Sequence, residues 1–252
     1  MAGSSGLGAN AYIGGYDLSG DIGSVPSVGG GPAALEVTAI NSSAVERVYG
    51  LRDGQLQFNS WFNPAVAQQH AVFSPLPSTD VVAQVAFRAS SSFAIGDECV
   101  QLIGKQINYQ PSRQADGSLA FTIDMHANGY GLEWGNLLTA GKRTDSAATN
   151  GSSWDDLAGA PTSTAFGMSA YVQLFSFSGT SVTITVQDSA DNVSFAGITG
   201  LATSALTAAP AAVRLATSST ATIRRYLRVA TTGTFSNAVF VVSVTRHLTA
   251  SL

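Results

Sequence analysis

Three histidines, His70, His126 and His247, and a single cysteine, Cys99, are the residues of this chain whose types best suit metal or nucleophilic chemistry. A zinc site needs several nitrogen, sulfur or oxygen ligands converging on one point. The histidines fall on three separate expected elements with no i,i+4 partner, and one cysteine makes neither an internal disulfide nor a thiolate cluster. Asp124 and His126 share one face of an expected strand, so a carboxylate–imidazole pair is conceivable. A hydrolase would also need a nucleophile on a strained turn, and the chain has no G-x-S-x-G elbow. The expectation for these residues is structural pairing, with no catalytic residue, no metal ligand and no cofactor.

Other clusters read the same way. Gly141-Lys142-Arg143-Thr144 resembles the end of a phosphate loop but lacks the upstream glycine and a following helix, so it is read as a basic loop. Asp188-Ser189-Ala190-Asp191-Asn192 has too few oxygen ligands for a dedicated calcium site and fits an Asx-stabilised hairpin turn. Arg224, Arg225 and Arg228 are read as partner-facing salt bridges rather than a nucleic-acid surface, since aromatic interleaving is missing. Asp97-Glu98 and Asp155-Asp156 are adjacent and would point apart on strands, which does not suit glycoside hydrolysis. Three glycosylation sequons, at Asn41, Asn150 and Asn192, are chance matches in a chain rich in Ser and Thr.

The elements that would hold these residues are mostly strands. Residues 1–34 are Gly-rich and predict an extended arm or long ordered loop. Residues 34–40 alternate loosely as a strand, and Asn41-Ser42-Ser43 with Glu46 predict a capped helical turn that Gly50 ends. Residues 54–62 alternate cleanly, with Leu56, Phe58 and Ser60 on one face, before Asn63-Pro64 opens a short helix over 64–73. Strands follow at 80–88, 98–110 and 117–127, with Asp116-Gly117 in the turn of a hairpin. The Gly/Ser/Thr-rich stretch 141–163 is the expected boundary. Beyond it strands are predicted at 169–177, 180–187, 193–199, 211–217, 221–230 and 237–247, the last two joined as a hairpin through Thr231–Asn237.

Composition then limits the function. Only 11% of residues are charged, against about 25% in ordinary soluble domains, while 45% are hydrophobic. A strand-rich chain with so little charge is suited to burying its flanks against copies of itself. Residues 1–150 carry a net charge of −5 and residues 151–252 a net charge of +1. No run approaches the 18 or so apolar residues of a membrane span, and the first thirty residues show no basic and apolar leader pattern, so no signal peptide is expected.

Several stretches resemble tail proteins of actinobacterial siphophages. They are Tyr12-Ile13-Gly14-Gly15-Tyr16-Asp17-Leu18-Ser19-Gly20-Asp21 with Leu35-Glu36-Val37-Thr38, and Leu51-Arg52-Asp53-Gly54 with its Asn-Pro sequel. Ala127-Asn128-Gly129-Tyr130-Gly131-Leu132-Glu133-Trp134-Gly135 and Arg225-Tyr226-Leu227-Arg228-Val229-Ala230-Thr231-Thr232-Gly233-Thr234-Phe235 continue it. The resemblance implies a major tail, or tail-tube, protein: a non-enzymatic virion component whose stacked, hexameric rings conduct DNA during ejection. It implies a mainly β fold, a tail-tube-like β-sandwich or barrel with one short flanking helix, plus a C-terminal β-sandwich of jelly-roll or Ig-like type. The divisions expected are an arm at 1–34, the tube-like domain at 35–150 and the C-terminal sandwich at 164–252, the last a candidate for the tube exterior. Implied partners are the chain itself and the tape measure, tail terminator and distal tail proteins. DNA is a cargo that must not stick, which an acidic lumen lining serves, and no membrane is involved. Assembly would take place in the host cytoplasm and the product would reside in the virion tail. Alternatives are a capsid decoration or minor tail protein, and, less favoured, a host-surface glycan-binding module built on Phe175, Phe177, Phe195, Tyr226 and Phe235.

Overall fold

The computed structural model describes residues 7–158 and 161–249. It is mainly β, with 56% of residues in strands and 2% in helix, as the alternating patterns require. In chain order come β1 (Asn10–Ile13), β2 (Tyr16–Asp17), β3 (Ile22–Glu36), β4 (Arg47–Trp61) and the helix α1 (Gln69–Phe73). Then follow β5 (Val81–Ala86), β6 (Glu98–Gln106), β7 (Gln110–Arg113), β8 (Leu119–Ala127), β9 (Glu133–Leu137), β10 (Arg143–Asp145), β11 (Trp154–Asp155) and β12 (Ser163–Thr164). The last are β13 (Met168–Ser189), β14 (Ala196–Ala202), β15 (Ala211–Ala216), β16 (Ile223–Arg224) and β17 (Tyr226–Arg246).

These elements form two compact units. The first holds the described residues of Met1–Ser19, Val82–Gln101 and Trp134–Leu252; the second holds Gly20–Val81 and Leu102–Glu133. The units run across the divisions expected from the sequence. Residues 10–17 belong with the C-terminal strands, and the Gly/Ser/Thr-rich stretch after residue 141 lies inside the first unit, where β10 and β11 pair with β17.

The first unit is organised by two long strands. β13 and β17 pair antiparallel from Met168↔Arg246 to Ser189↔Tyr226. The sequence suggests breaks near 178–180 and a hairpin at Thr231–Asn237, but both strands run through. The turn-like residues are spent on β-bulges instead: the register shifts around Ser178, Gly179 and Ser181. Gly233 sits at φ +119, and a Cβ there would stand 2.3 Å from the Ser181 carbonyl oxygen. Val172 and Leu174 from one half of the ribbon join Val182, Ile184 and Val186 from the other, with Leu227, Phe240 and Val242, in a single apolar cluster. A bulge allows such a bend by letting two residues of one strand oppose one of its neighbour.

The N-terminal segment is locked into this unit. β1 pairs with β5 from Asn10↔Ala86 to Ile13↔Ala83, and Tyr12 and Ile13 are fully buried. The Gln173 amide donates to the Tyr12 carbonyl (3.0 Å) and accepts from the Gly15 N–H (2.6 Å). These residues are strand rather than the extended arm or loop expected of 1–34.

The second unit pairs its strands in the order β3–β4–β8–β7, with the end of β6 also against β8. Alternation decides which face is buried: Leu56, Phe58 and Ser60 of β4 and Phe121, Ile123 and Met125 of β8 turn inward, as the sequence pattern of 54–62 requires. The helix is shorter than the expected 64–73. Ala67 takes a positive φ of 62°, which breaks any helix begun at Pro64. The Asp21 carboxylate fixes what remains, accepting from Asn63 Nδ2 (2.7 Å) and the Gln69 N–H (2.9 Å). Likewise the expected helical turn at 41–46 is a hairpin tip, although its Ser42–Glu46 side-chain bond forms (3.1 Å).

Replacing Gly233 by Val should cost about 1–3 kcal/mol, the price of forcing a β-branched residue into positive φ. Urea denaturation of the full chain checks this; an unchanged midpoint would show that the bulge is not needed.

Candidate assembly surface

The β3–β4 hairpin of the second unit is where the fold stops covering its own residues. At its base, the paired glycines Gly30 and Gly54 lie directly under Leu132, so close that a Cβ on Gly54 would stand 2.5 Å from the Leu132 nitrogen. β8 pairs with β4 only from Gln55 to Trp61, and β3 pairs only with β4. Gly131 still lies against Arg52 and Asp53, but beyond Pro32↔Arg52 the two strands pair only with each other among the described residues and most of their side chains are exposed.

The side chains on this free length are not those of a solvated loop. Leu35, Val37, Ile40, Val45, Val48, Tyr49 and Leu51 are all exposed, Leu51 at 89% and Tyr49 at 71%. Leu35 opposes Val48, and Ala34 opposes Tyr49. Strand alternation divides them, with Leu35, Val37 and Val48 on one face of the ribbon and Tyr49 and Leu51 on the other, so both faces carry exposed apolar side chains. Fully burying such a side chain is worth roughly 1.5–3 kcal/mol, against an association cost on the order of 4–15 kcal/mol. Burial of several together is needed to hold a partner, and the hairpin offers enough.

The tip is already shaped. The Val37 N–H donates to the Glu46 carbonyl (3.0 Å), the Glu46 N–H to Thr38 Oγ1 (3.0 Å), and the Ser42 N–H to the Ala39 carbonyl (3.0 Å). Charges of both signs sit along the ribbon, with Glu36 opposite Arg47 and Arg52 beside Asp53. A polyanion would find no single-sign face there.

The residues singled out for chemistry do not converge. Among the described residues no group of three or more His, Cys, Asp or Glu is placed to hold a metal ion. His70 Nδ1 meets the Tyr109 hydroxyl (2.8 Å), and His126 lies in the β4–β8 ladder opposite Gln55. His247 Nδ1 lies 3.3 Å from the Phe166 carbonyl oxygen. The Asp124 carboxylate is taken by Gln57 Nε2 (2.7 Å) and by Asn108, while its N–H donates to Asn108 Oδ1. Cys99 is fully buried, and that burial pushes its thiol up to about 12.

The basic residues are paired inside the first unit, which corrects their reading as partner-facing bridges. Lys142 meets Asp17, and Arg143 forks onto both oxygens of Asp145 (2.8 Å each). Arg224 binds Asp188 (2.6 Å), Arg225 binds Asp155, and Arg228 donates to Gln187 Oε1 (2.7 Å) while lying over the Phe195 ring. Asp155 and Asp156 do point apart, the second to Arg246. Asp191 forms the expected Asx turn: its Oδ1 accepts from Ser189 Oγ and from the N–H groups of Val193 and Ser194, which hold its carboxyl below the ordinary range. Asp97 Oδ2 caps the Ala94 N–H (2.8 Å).

The exposed ribbon was the feature least visible in the sequence. Its signal was two loosely apolar runs, 34–40 and 45–51, flanking Asn41-Ser42-Ser43, which is the pattern of a hairpin as well as of a capped helical turn.

What fold and surface define together is a mainly β protein with an uncovered apolar hairpin. No protein-family model and no curated protein matches the sequence. Among solved structures, the chain is similar to a protein in the virion of a native gene transfer agent particle, with TM-score 0.41 and 13% identity, over 52% of this chain and 98% of that one. It is similar to one in the tail of an empty gene transfer agent particle, refined helically with C6 symmetry, with TM-score 0.36 and 16% identity, over 49% and 93%. A third is the Dit (gp 19.1) protein of SPP1, a hub adsorption apparatus of phages infecting Gram-positive bacteria, with TM-score 0.34 and 12% identity, over 95% and 99%. The three are virion and tail components; overlaps this loose carry no weight on what the present chain does. No helix among its described residues is long and apolar enough to cross a membrane.

Replacing Arg246 by Met should cost about 3–5 kcal/mol in urea denaturation, because it strands the buried Asp156 carboxylate. Arg246 also donates to Thr164 Oγ1 and to the carbonyls of Ile223 and Arg224. Burial already raises the carboxyl of Asp156 above its ordinary value, and Arg246 opposes that. Without the arginine the native state binds a proton more tightly than the unfolded chain, so the deficit should shrink near pH 4 relative to pH 7. Lys105→Met, which breaks a surface pair with Asp80 (2.8 Å), should shift stability by less than about 1 kcal/mol.

Proposed function

We propose that this chain is a structural subunit of a bacteriophage tail that assembles with copies of itself into stacked rings, forming the tube through which DNA passes. The observation that carries the reading is the free length of the β3–β4 hairpin, with seven large apolar side chains exposed and both ribbon edges open. Its occupant is a second copy. Open edges pair readily with like edges. Two of the stretches that resemble siphophage tail proteins, Leu35-Glu36-Val37-Thr38 and Leu51-Arg52-Asp53-Gly54, lie on this hairpin.

Charge supports a bore that conducts DNA. The second unit carries eight acidic and four basic side chains, net −4, while the first balances at eight of each. The acidic excess thus belongs wholly to the unit that bears the hairpin. A lining of that sign repels phosphate and keeps the cargo from binding.

Negative-stain images of the purified full chain test this. Rings or tubes are expected, and a chain that stays monomeric at high concentration, or labels only capsids in virions, overturns the reading. Substituting Ile40→Asp together with Leu51→Asp should leave the unfolding midpoint unchanged, since both side chains are exposed, while weakening self-association at least tenfold, about 1.4 kcal/mol.

A further inference from the structure

The open face of the β3–β4–β8–β7 sheet holds a second feature, separate from the hairpin's free length. It is a cleft of about 480 Å³, lined by residues of β3, β4, β7, β8 and the β7–β8 turn. This lies within the range of small-molecule sites, roughly 300–1,000 Å³. Trp61 stands in it with half its surface exposed.

The neighbours of Trp61 are small where a larger residue would cover it. Gly23 lies so close that a Cβ would stand 2.8 Å from the indole Nε1, and Ala120 is its cross-strand partner on β8. The ring is anchored on a strand, with its own backbone N–H donated to the Asp21 carbonyl (2.9 Å). The indole is a half-exposed aromatic surface resting on Gly23.

Around it the lining is polar and, apart from one carboxylate, uncharged; no Lys, Arg or His contributes. Hydrogen-bonding capacity remains after the internal bonds are counted. Asn59 uses Oδ1 to accept from Thr122 (3.3 Å), which leaves its amide donors. Gln114 uses Nε2 on Ser112 Oγ (2.9 Å), which leaves its carbonyl. Asp116 accepts twice from Ser118, both times on Oδ1, and these bonds hold its carboxyl below the ordinary range.

We propose that this cleft binds a neutral saccharide, stacked on Trp61 and hydrogen-bonded by Asn59, Gln114 and Asp116. A sugar ring is apolar on its C–H face and polar at its edge, which matches an aromatic floor with an amide and carboxylate rim. The missing cations disfavour phosphate, sulfate and nucleic acid. A protein partner would be matched by a more apolar face than one indole among Ser, Thr, Gln and Asn. The site binds without cleaving, since glycoside hydrolysis uses two carboxyl groups and Asp116 alone is present.

The full-length protein, labelled on its amino groups, would be applied to an array of defined neutral, sialylated and sulfated oligosaccharides, and hits measured by isothermal titration. Binding to a subset of neutral glycans is expected, with affinity falling at least tenfold in Trp61→Ala. Ala120→Leu fills the cleft while keeping the indole, and should lose binding with an unchanged unfolding midpoint. Ile40→Asp with Leu51→Asp should retain it, which separates this site from the assembly reading. No bound glycan, binding confined to sulfated or sialylated glycans, or binding indifferent to both cleft variants overturns the proposal. So does loss of self-assembly in Trp61→Ala without any glycan binding, which would make the cleft a contact between subunits.

Discussion

A two-stranded β-ribbon with water on both faces is at best marginally stable, and the hairpin beyond Gly30 and Gly54 is such a ribbon. Its strands bond to each other and its tip is held by hydrogen bonds, but among the described residues its apolar side chains stay half to fully exposed. Roughly 20 Å of ladder, at about 3.3 Å per residue from Gly31 to Glu36, leaves the sheet this way. A sequence that keeps Leu35, Val48, Tyr49 and Leu51 on so exposed a ribbon is explained by a partner that covers them. Two other features fall into place around that requirement: open edges, and a sheet that holds the ribbon's base.

Each unit is held together in its own way. In the first, the β13–β17 ribbon runs the length of both strands and brings its halves to one apolar cluster. Its charges are largely used in internal pairs such as Arg143–Asp145, Arg224–Asp188 and Arg246–Asp156. In the second, Asp21, Asn63, Gln69 and Tyr109 tie a five-residue helix to the sheet by hydrogen bonds. The acidic excess stays with this second unit, so the charge split first seen between the two halves of the sequence follows a structural division more closely than a linear one.

Much of this was legible in the residues. The alternation of Leu56, Phe58 and Ser60, the Asp116-Gly117 turn and the Asx turn at Asp191 are local signals, and local geometry honours them. Three features were not legible, each for a physical reason. The Gly-rich segment 22–36 reads as loop because glycine weakens strand propensity, yet it pairs because β4 supplies the partner. Gly179 and Gly233 read as turn residues, and the fold uses the same positive-φ freedom for bulges in continuous strands. Asn63-Pro64 reads as a helix start, but the turn at Ala67 intervenes and Asp21, distant in sequence, sets where the helix begins. Of the surfaces, the hairpin left only an ambiguous pair of apolar runs and the Trp61 cleft left no signal, since exposure depends on which strands lie alongside and which do not.

Amide hydrogen exchange on the full chain, as dispersed subunit and as assembled particle, tests the central claim most directly. The account predicts fast exchange at residues 37–53 in the dispersed subunit and protection by at least tenfold on assembly, with β13 and β17 slow in both states. Equal exchange of the hairpin in the two states would contradict it, because the ribbon would then remain uncovered in the assembly it is proposed to build.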